Sequence, residues 1–172
     1  MLNGGRYLGL VYRGHNPQWM YTPESGQGAA IHGGRFNPKG RPALYTSEQF
    51  TTALKEAQQG FPFKSQPLTL CAYEVDCRPI LDLTNARVRN ENKIALADLE
   101  CPWEALNGKK ILPPSWRIAE SLIQQGIAGI RVQSQAPGAT EQDINLVFWK
   151  WGGMAPTKVV VIDDFGRLRP SQ

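Results

Sequence analysis

Apolar positions along the chain fall into short runs rather than long periodic stretches. Tyr7 to Arg13 (YLGLVYR) predicts a first strand. From Asn16 to Ala30, Pro, Gly, Ser and Gln dominate, and a loop is expected. Pro42 to Thr46 predicts a short strand. Beyond it Phe50, Ala53, Leu54 and Ala57 fall at i, i+3, i+4 and i+7, one apolar face of a helix. Ser47 is expected to cap that helix, with Gly60 and Pro62 stopping it. At 100° per residue, Glu56 lies about 100° from the centre of the apolar face. That puts it at the rim, where a carboxylate looks into a cleft from a rigid element. Leu68 to Val75 and Ile80 to Leu83 predict two further strands. The pattern is weak from Thr84 to Pro113, with one short helix expected over Ile94 to Leu99. Pro114-Ser115 opens a helix that turns Trp116, Ala119, Leu122 and Ile123 inward and closes at Gly126. Ile127 to Val132, Asn145 to Trp149 and Lys158 to Ile162 predict three more strands. Many short strands with a few helices, and no regular βαβ alternation, predict an α+β fold of mixed β-sheets packed with helices. No composition shift marks a boundary, so residues 1–172 are expected to form one domain.

Composition narrows the class. A 172-residue chain that is 41% hydrophobic can bury a real core. Seventeen glycines and 13 prolines imply many turns and argue against a helical bundle. No run of 18 apolar residues predicts a membrane helix, and the first residues lack a signal-peptide core, so a cytoplasmic location is expected. Three irregularly spaced cysteines (Cys71, Cys77 and Cys101) make a poor disulfide framework. With two histidines, His15 and His32, no metal site is expected. The net charge of +4 comes from dispersed cations interleaved with acids. This favours a basic enzyme over a direct nucleic-acid binder.

One stretch carries candidate chemistry. It reads His32-Gly33-Gly34-Arg35-Phe36-Asn37-Pro38-Lys39-Gly40, then Leu44-Tyr45-Thr46-Ser47, then Ala53-Leu54-Lys55-Glu56. A cation, an aromatic platform and a carboxylate are the parts needed to hold and break a dinucleotide such as NAD. Arg35 suits paired bonds to a pyrophosphate, with Gly33 and Gly34 allowing close backbone approach. Tyr45 suits stacking on nicotinamide. Glu56 suits the ribose, whose transition state gains positive charge. Each also fits a plain structural role: a surface arginine, a strand tyrosine, a helix-surface glutamate. Arg13 fits a phosphate or adenosine-ribose contact as well as an ordinary ion pair. His32 fits a phosphate contact or simple exposure. No GxGxxG joins a strand to a helix, so a Rossmann hydride-transfer site is excluded.

These residues resemble the RES-domain family, named for its Arg, Glu and Ser. The match runs through Tyr12-Arg13, Gly33 to Gly40, Leu44 to Glu48, Ala53 to Glu56, the Trp116 helix, Ile130-Arg131-Val132-Gln133-Ser134 and Asn145-Leu146-Val147-Phe148, within residues 6 to 165. Phe36 stands where the family pattern has Trp, and Gln133 where it has Pro. The resemblance implies an ADP-ribosyltransferase-like fold and the toxin half of a bacterial toxin–antitoxin pair. It implies that NAD is consumed as a substrate rather than held as a cofactor, and that the partner is a small helix-turn-helix antitoxin. It also implies catalytic roles for Arg35, Tyr45 and Glu56, and substrate-binding roles for Arg13, Gly33, Gly34, Ser47, Ser134 and Asn145. Ser134 fits either a bond to the nicotinamide ribose or the orienting of Glu56. Two other readings stay open: a non-catalytic nucleotide- or RNA-binding module, and a secreted antibacterial effector with the same NAD chemistry. Self-association is also left open.

Overall fold

A computed structural model describes residues 4–59 and 65–169. Strands β1 (Gly5–His15), β2 (Leu44–Ser47), β3 (Thr69–Asp82), β4 (Gly129–Gln133), β5 (Ile144–Phe148) and β6 (Thr157–Val161) form one sheet. The helices are α1 (Gln27–His32), α2 (Phe50–Ala57), α3 (Ala86–Glu91), α4 (Leu96–Leu99), α5 (Trp103–Gly108) and α6 (Pro114–Gln124), with a 3-10 turn at Pro17–Trp19. The strand order is β1-β2-β5-β4-β3-β6, and β1 also pairs with β3. Five strands therefore close on themselves while β6 hangs on the outer edge of β3. The β3–β4 pair is parallel and the other pairs are antiparallel.

The closure is uneven. β1 pairs with β3 from Gly5↔Ile80 to His15↔Thr69. With β2 it shares the pair Tyr12↔Ser47 alone. A continued antiparallel ladder would place Gly14 opposite Tyr45 and His15 opposite Leu44. Instead the strands part, and a cavity lined by Tyr12 to His15 on one side and Tyr45 to Ser47 on the other occupies the fork.

Two apolar clusters flank β5, whose residues alternate between them. Leu146 and Phe148 pack with Val11, Tyr73, Val75 and Val159. Val147 packs with Phe36, Leu81, Leu122, Ile130 and Val132. Burial on both faces explains why this strand reads as a continuous apolar run.

Several local expectations are corrected. The supposed loop at 16–30 holds the 3-10 turn and the first four residues of α1, which has no buried residue and hence no apolar periodicity to signal it. The two strands expected at 68–75 and 80–83 are one, β3. Pro79 does not break it, because its carbonyl accepts from Ala128 N while Arg78 N donates to Pro156 O. The weak region 84–113 holds three short helices instead of one. Ser47 does not cap α2: it ends β2, and Gln49 occupies the N-cap position. The expected stop at Gly60 and Pro62 lies outside the described residues. The buried residues of α2 are Thr52 and Ala53, while Phe50 is 52% exposed and meets Tyr12 edge-on.

Asp143 sets the position of α2. It is 4% exposed and accepts from Thr52 Oγ1 at 2.6 Å, from Thr140 N at 2.7 Å and from Lys55 Nζ at 3.0 Å. The Thr52 hydroxyl, helped by Thr140 N and Lys55, holds its carboxyl well below the usual carboxylate range. A carboxylate depressed by folding contributes stability above its unfolded pKa of about 3.9 that is lost as pH falls through the folded value. Asp143→Asn is expected to lower the unfolding free energy by about 2 kcal/mol at pH 7, because the amide cannot accept from the same set of donors. Denaturant titration at pH 7 and pH 3 checks this: the gap between wild type and variant narrows at the lower pH.

Candidate active site

The Gly33-Gly34-Arg35-Phe36-Asn37 turn is held at its side chains and its carbonyls. Asn37 is fully buried. Its Nδ2 donates to the carbonyls of Ala29, Pro38 and Arg41 at 2.8, 3.1 and 2.9 Å. Its Oδ1 accepts from Tyr45 Oη at 2.7 Å, and Tyr45 Oη accepts from Phe36 N at 3.0 Å. Three more donors fix successive carbonyls: Trp116 Nε1 on Gly34 (2.8 Å), Ser115 Oγ on Arg35 (2.6 Å) and Trp149 Nε1 on Phe36 (3.0 Å). Gly33 takes a φ of +75°, which favours glycine. At Gly34 a Cβ would come within 2.5 Å of Tyr45 Oη and 2.7 Å of Asn37 Oδ1. The expected close approach at Gly34 is therefore made by the turn's own anchors.

Arg35 stands on this turn. Its Nη1 donates to Cys101 O at 2.6 Å and Leu99 O at 3.2 Å, carbonyls that join α4 to α5. Among the described residues its Nε and Nη2 have no partner, so a paired donor edge remains. Arg13 has no carboxylate partner among the described residues. Its Nη1 donates to the carbonyls of Pro23 at 3.0 Å and Ser25 at 3.3 Å. Tyr45 contributes to the cavity wall, with its hydroxyl committed to Asn37 and Phe36. Burial pushes its phenol above the ordinary value, against opposing effects from Phe36 N and Arg35.

Glu56 is half-buried and shares the face of α2 that carries the buried Thr52 and Ala53, not the rim of the expected apolar face, because Phe50 and Ala57 of that face are exposed. Its Oε1 accepts from Ser134 Oγ at 2.5 Å and from Asn145 Nδ2. Gln59 Nε2 donates to Oε2. Ser134 Oγ itself accepts from Ala136 N at 3.1 Å, which leaves its proton for Glu56. Asn145 Oδ1 accepts from Ser47 Oγ at 2.7 Å, which fixes the amide with its nitrogen toward the carboxylate. Ser47 and Asn145 are paired across β2 and β5, and Ser134 follows β4 directly. β4 and β5 thus deliver two side chains to one carboxylate on a helix, and β2 braces one of them through Ser47.

Arg13, Gly33, Gly34, Arg35, Tyr45, Ser47, Glu56 and Asn145 all line one cavity of about 680 Å³. Ser134 reaches it through Glu56. His32 is exposed on the wall, whereas His15 is buried there. Sequence reasoning assigned no role to Asn37, Ser115, Trp149 or Asp143. For Ser115, Trp149 and Asp143 the main partner lies far away in the chain, and for Asn37 the partners are near but set by an irregular turn, so no spacing rule reveals either. The three cysteines are free and buried. Among the described residues, no group of three or more His, Cys, Asp or Glu could hold a metal. No helix among them is long and apolar enough to cross a membrane.

A carboxylate held by neutral donors, in one cavity with an anchored arginine and an aromatic side chain, defines a cleft suited to an anionic ligand with a flat ring. The RES domain model matches residues 10–170, and the chain belongs to that family. The fold is α+β, as expected. It is similar to one in the crystal structure of the M. tuberculosis MbcT–MbcA toxin–antitoxin complex, with a TM-score of 0.63. That match has 18% identity and covers 92% of this chain and 83% of that one. No curated protein sequence matches the chain.

Gly34→Ala is expected to lower the melting temperature by several degrees, since the new methyl must displace Tyr45 or Asn37. Gly28→Ala is the control: it meets open space within α1 and is expected to leave the melting temperature unchanged or raised. Thermal unfolding of both variants checks the pair.

Proposed function

We propose that this protein is an NAD-cleaving toxin of a toxin–antitoxin pair, acting in the cytoplasm. The observation that carries the reading is Glu56, its Oε1 fixed by Ser134 and Asn145, in a cavity shared with Arg35 and Tyr45. Membership of the RES family supports it, as does a fold shared with a protein crystallised as a toxin–antitoxin complex.

In this mechanism the bond between the nicotinamide nitrogen and ribose C1′ breaks. Its electron pair leaves on the nitrogen, so cationic nicotinamide departs neutral and the ribose becomes an oxocarbenium-like cation. The Glu56 carboxylate stabilises that cation. Ser134 and Asn145 are positioning residues that hold the carboxylate before the charge develops. Ser47 acts through Asn145. Tyr45 offers the nicotinamide a flat wall, and its committed hydroxyl leaves proton transfer out of its role. The free edge of Arg35 presents paired donors to the pyrophosphate, with Arg13 as a second cation. Water, phosphate or a protein nucleophile then takes the ADP-ribose. The partner is a small helix-turn-helix antitoxin that places an acidic segment near Arg35 and competes with NAD. A neighbouring antitoxin reading frame separates this setting from that of a secreted effector.

Purified protein is expected to release nicotinamide from NAD, read by separating the products. Glu56→Gln is expected to lose on the order of 10²-fold or more in rate while keeping its melting temperature. Near-normal turnover by that variant contradicts the assignment. Binding of NAD by wild type without any release points instead to a nucleotide-binding module. Arg35→Lys is expected to raise KM nearly as much as Arg35→Ala, because lysine keeps the charge and loses the paired donors. A fully active lysine variant reduces Arg35 to diffuse charge. Expression of wild type alone is expected to lower cellular NAD and stop growth, with Glu56→Gln tolerated.

A further inference from the structure

Glu56 accepts three side-chain donors, and they are not alike. Ser134 Oγ and Asn145 Nδ2 both donate to Oε1. Each is braced from behind. Ser134 is buried and its Oγ accepts from Ala136 N, while Asn145 Oδ1 accepts from the hydroxyl of the buried Ser47. Oε2 has one donor among the described residues, Gln59 Nε2. Gln59 is exposed and lies just past the end of α2, where its backbone N–H donates to Glu56 O at 3.5 Å. The Gln59 side-chain carbonyl has no partner among the described residues, so nothing there braces the amide.

A carboxylate oxygen accepts about two hydrogen bonds. Oε1 is therefore filled by side chains that the sheet holds in place, and Oε2 is the oxygen left for a ligand. Gln59 covers it. An exposed, unbranched side chain loses much rotamer freedom when its amide is held to one acceptor, which offsets the gain from the charge-assisted bond. Such a contact exchanges readily with another donor. Ser134 and Asn145 have no comparable freedom. Both Gln59 and Glu56 line the cavity, so a donor arriving from the cleft meets Oε2 where the amide now sits.

Resting on the NAD reading, we propose that Gln59 is a removable cap on Glu56: its amide occupies Oε2 in the empty cleft, and a hydroxyl of the nicotinamide ribose displaces it. While the cap is on, the amide N–H satisfies the oxygen that the sugar needs. Exchange for a ribose hydroxyl brings the carboxylate against the sugar in which the cation develops. The empty protein is thus divided between capped and open forms. The apparent affinity for a ligand that needs the open form is reduced by the open fraction. Gln59 carries no charge, so a ligand that lacks this ribose binds the capped and open forms alike.

The test compares wild type with Gln59→Met, which keeps the length of the side chain and removes the donor. The position is exposed, and the melting temperature is expected to stay level. Calorimetric titration uses ADP-ribose, which has the second ribose and no scissile bond, and separately ADP, which lacks that ribose. Gln59→Met is expected to bind ADP-ribose about three- to tenfold more tightly than wild type and ADP within about twofold. With NAD as substrate, its KM is expected to fall by a similar factor and kcat to stay within about twofold, since the cap is already off in the bound state. A fall in kcat at unchanged KM makes Gln59 a positioning residue like Ser134 and overturns the cap. Unchanged ADP-ribose affinity, equal tightening of both ligands, or no ADP-ribose binding by wild type also overturns it. Wild-type protein with labelled glutamines gives a readout free of any substitution: ADP-ribose shifts the Gln59 side-chain amide resonances and ADP does not. Unshifted resonances with bound ADP-ribose overturn the proposal. Nicotinamide release from NAD by wild type judges cleavage separately. Tighter ADP-ribose binding by Gln59→Met with no nicotinamide release keeps the cap and discards the cleavage reading. Release by wild type with unchanged ADP-ribose affinity in the variant does the reverse.

Discussion

Everything in the cleft depends on β1 being shared between two partners. Its ladder with β3 runs from Gly5 to His15, while its ladder with β2 is reduced to Tyr12↔Ser47. A fully zipped β1–β2 pair would close the space between Gly14 and Tyr45. The single pair keeps the sheet joined and leaves its mouth open. Backbone groups at a fork lose ladder partners and must find others or face water. Polar side chains gather at the same fork, and Ser47 is at once the last paired residue of β2 and the first in the chain of contacts to Glu56.

The second constraint is satisfaction of buried polar groups. Asn37 uses both ends of its amide, and three carbonyls of the Arg35 turn each receive a side-chain donor. The turn thereby becomes a rigid mount without regular secondary structure. Arg35 is anchored through one nitrogen and retains its other edge, the division of labour expected of a binding arginine held in advance of its ligand. Asp143 does for α2 what Asn37 does for the turn, and Glu56 inherits the position. His15 departs from this pattern as a buried ring with no partner among the described residues.

Strand positions were legible in the sequence because half-buried strands write period-two patterns, and β5, buried on both faces, writes an apolar run. The phase expected for Glu56 on α2 is wrong, because it takes Phe50 and Ala57 as buried, whereas the buried face is that of Thr52 and Ala53 and Glu56 lies on it. The short helices α1, α3 and α5 bury no residue and left no pattern to read. Ser47 looked like a helix cap because it precedes an apolar helix. Its hydroxyl instead pairs with Asn145, 98 positions away, a relation that only the β2–β5 register creates. The same holds for Ser134 and Glu56. Local chemistry singled out Arg35, Tyr45 and Glu56, the family resemblance added Ser47, Ser134 and Asn145, and sheet topology decided which of them meet.

The central claim is that the Glu56 carboxylate faces the nicotinamide ribose of NAD. A crystal structure of Glu56→Gln soaked with NAD tests it most directly, since the slowed variant is expected to hold intact dinucleotide. The account predicts the nicotinamide ribose within hydrogen-bond distance of residue 56, the nicotinamide ring against Tyr45 and the pyrophosphate on the free edge of Arg35. NAD bound elsewhere, or in the cleft with its nicotinamide ribose away from residue 56, contradicts it.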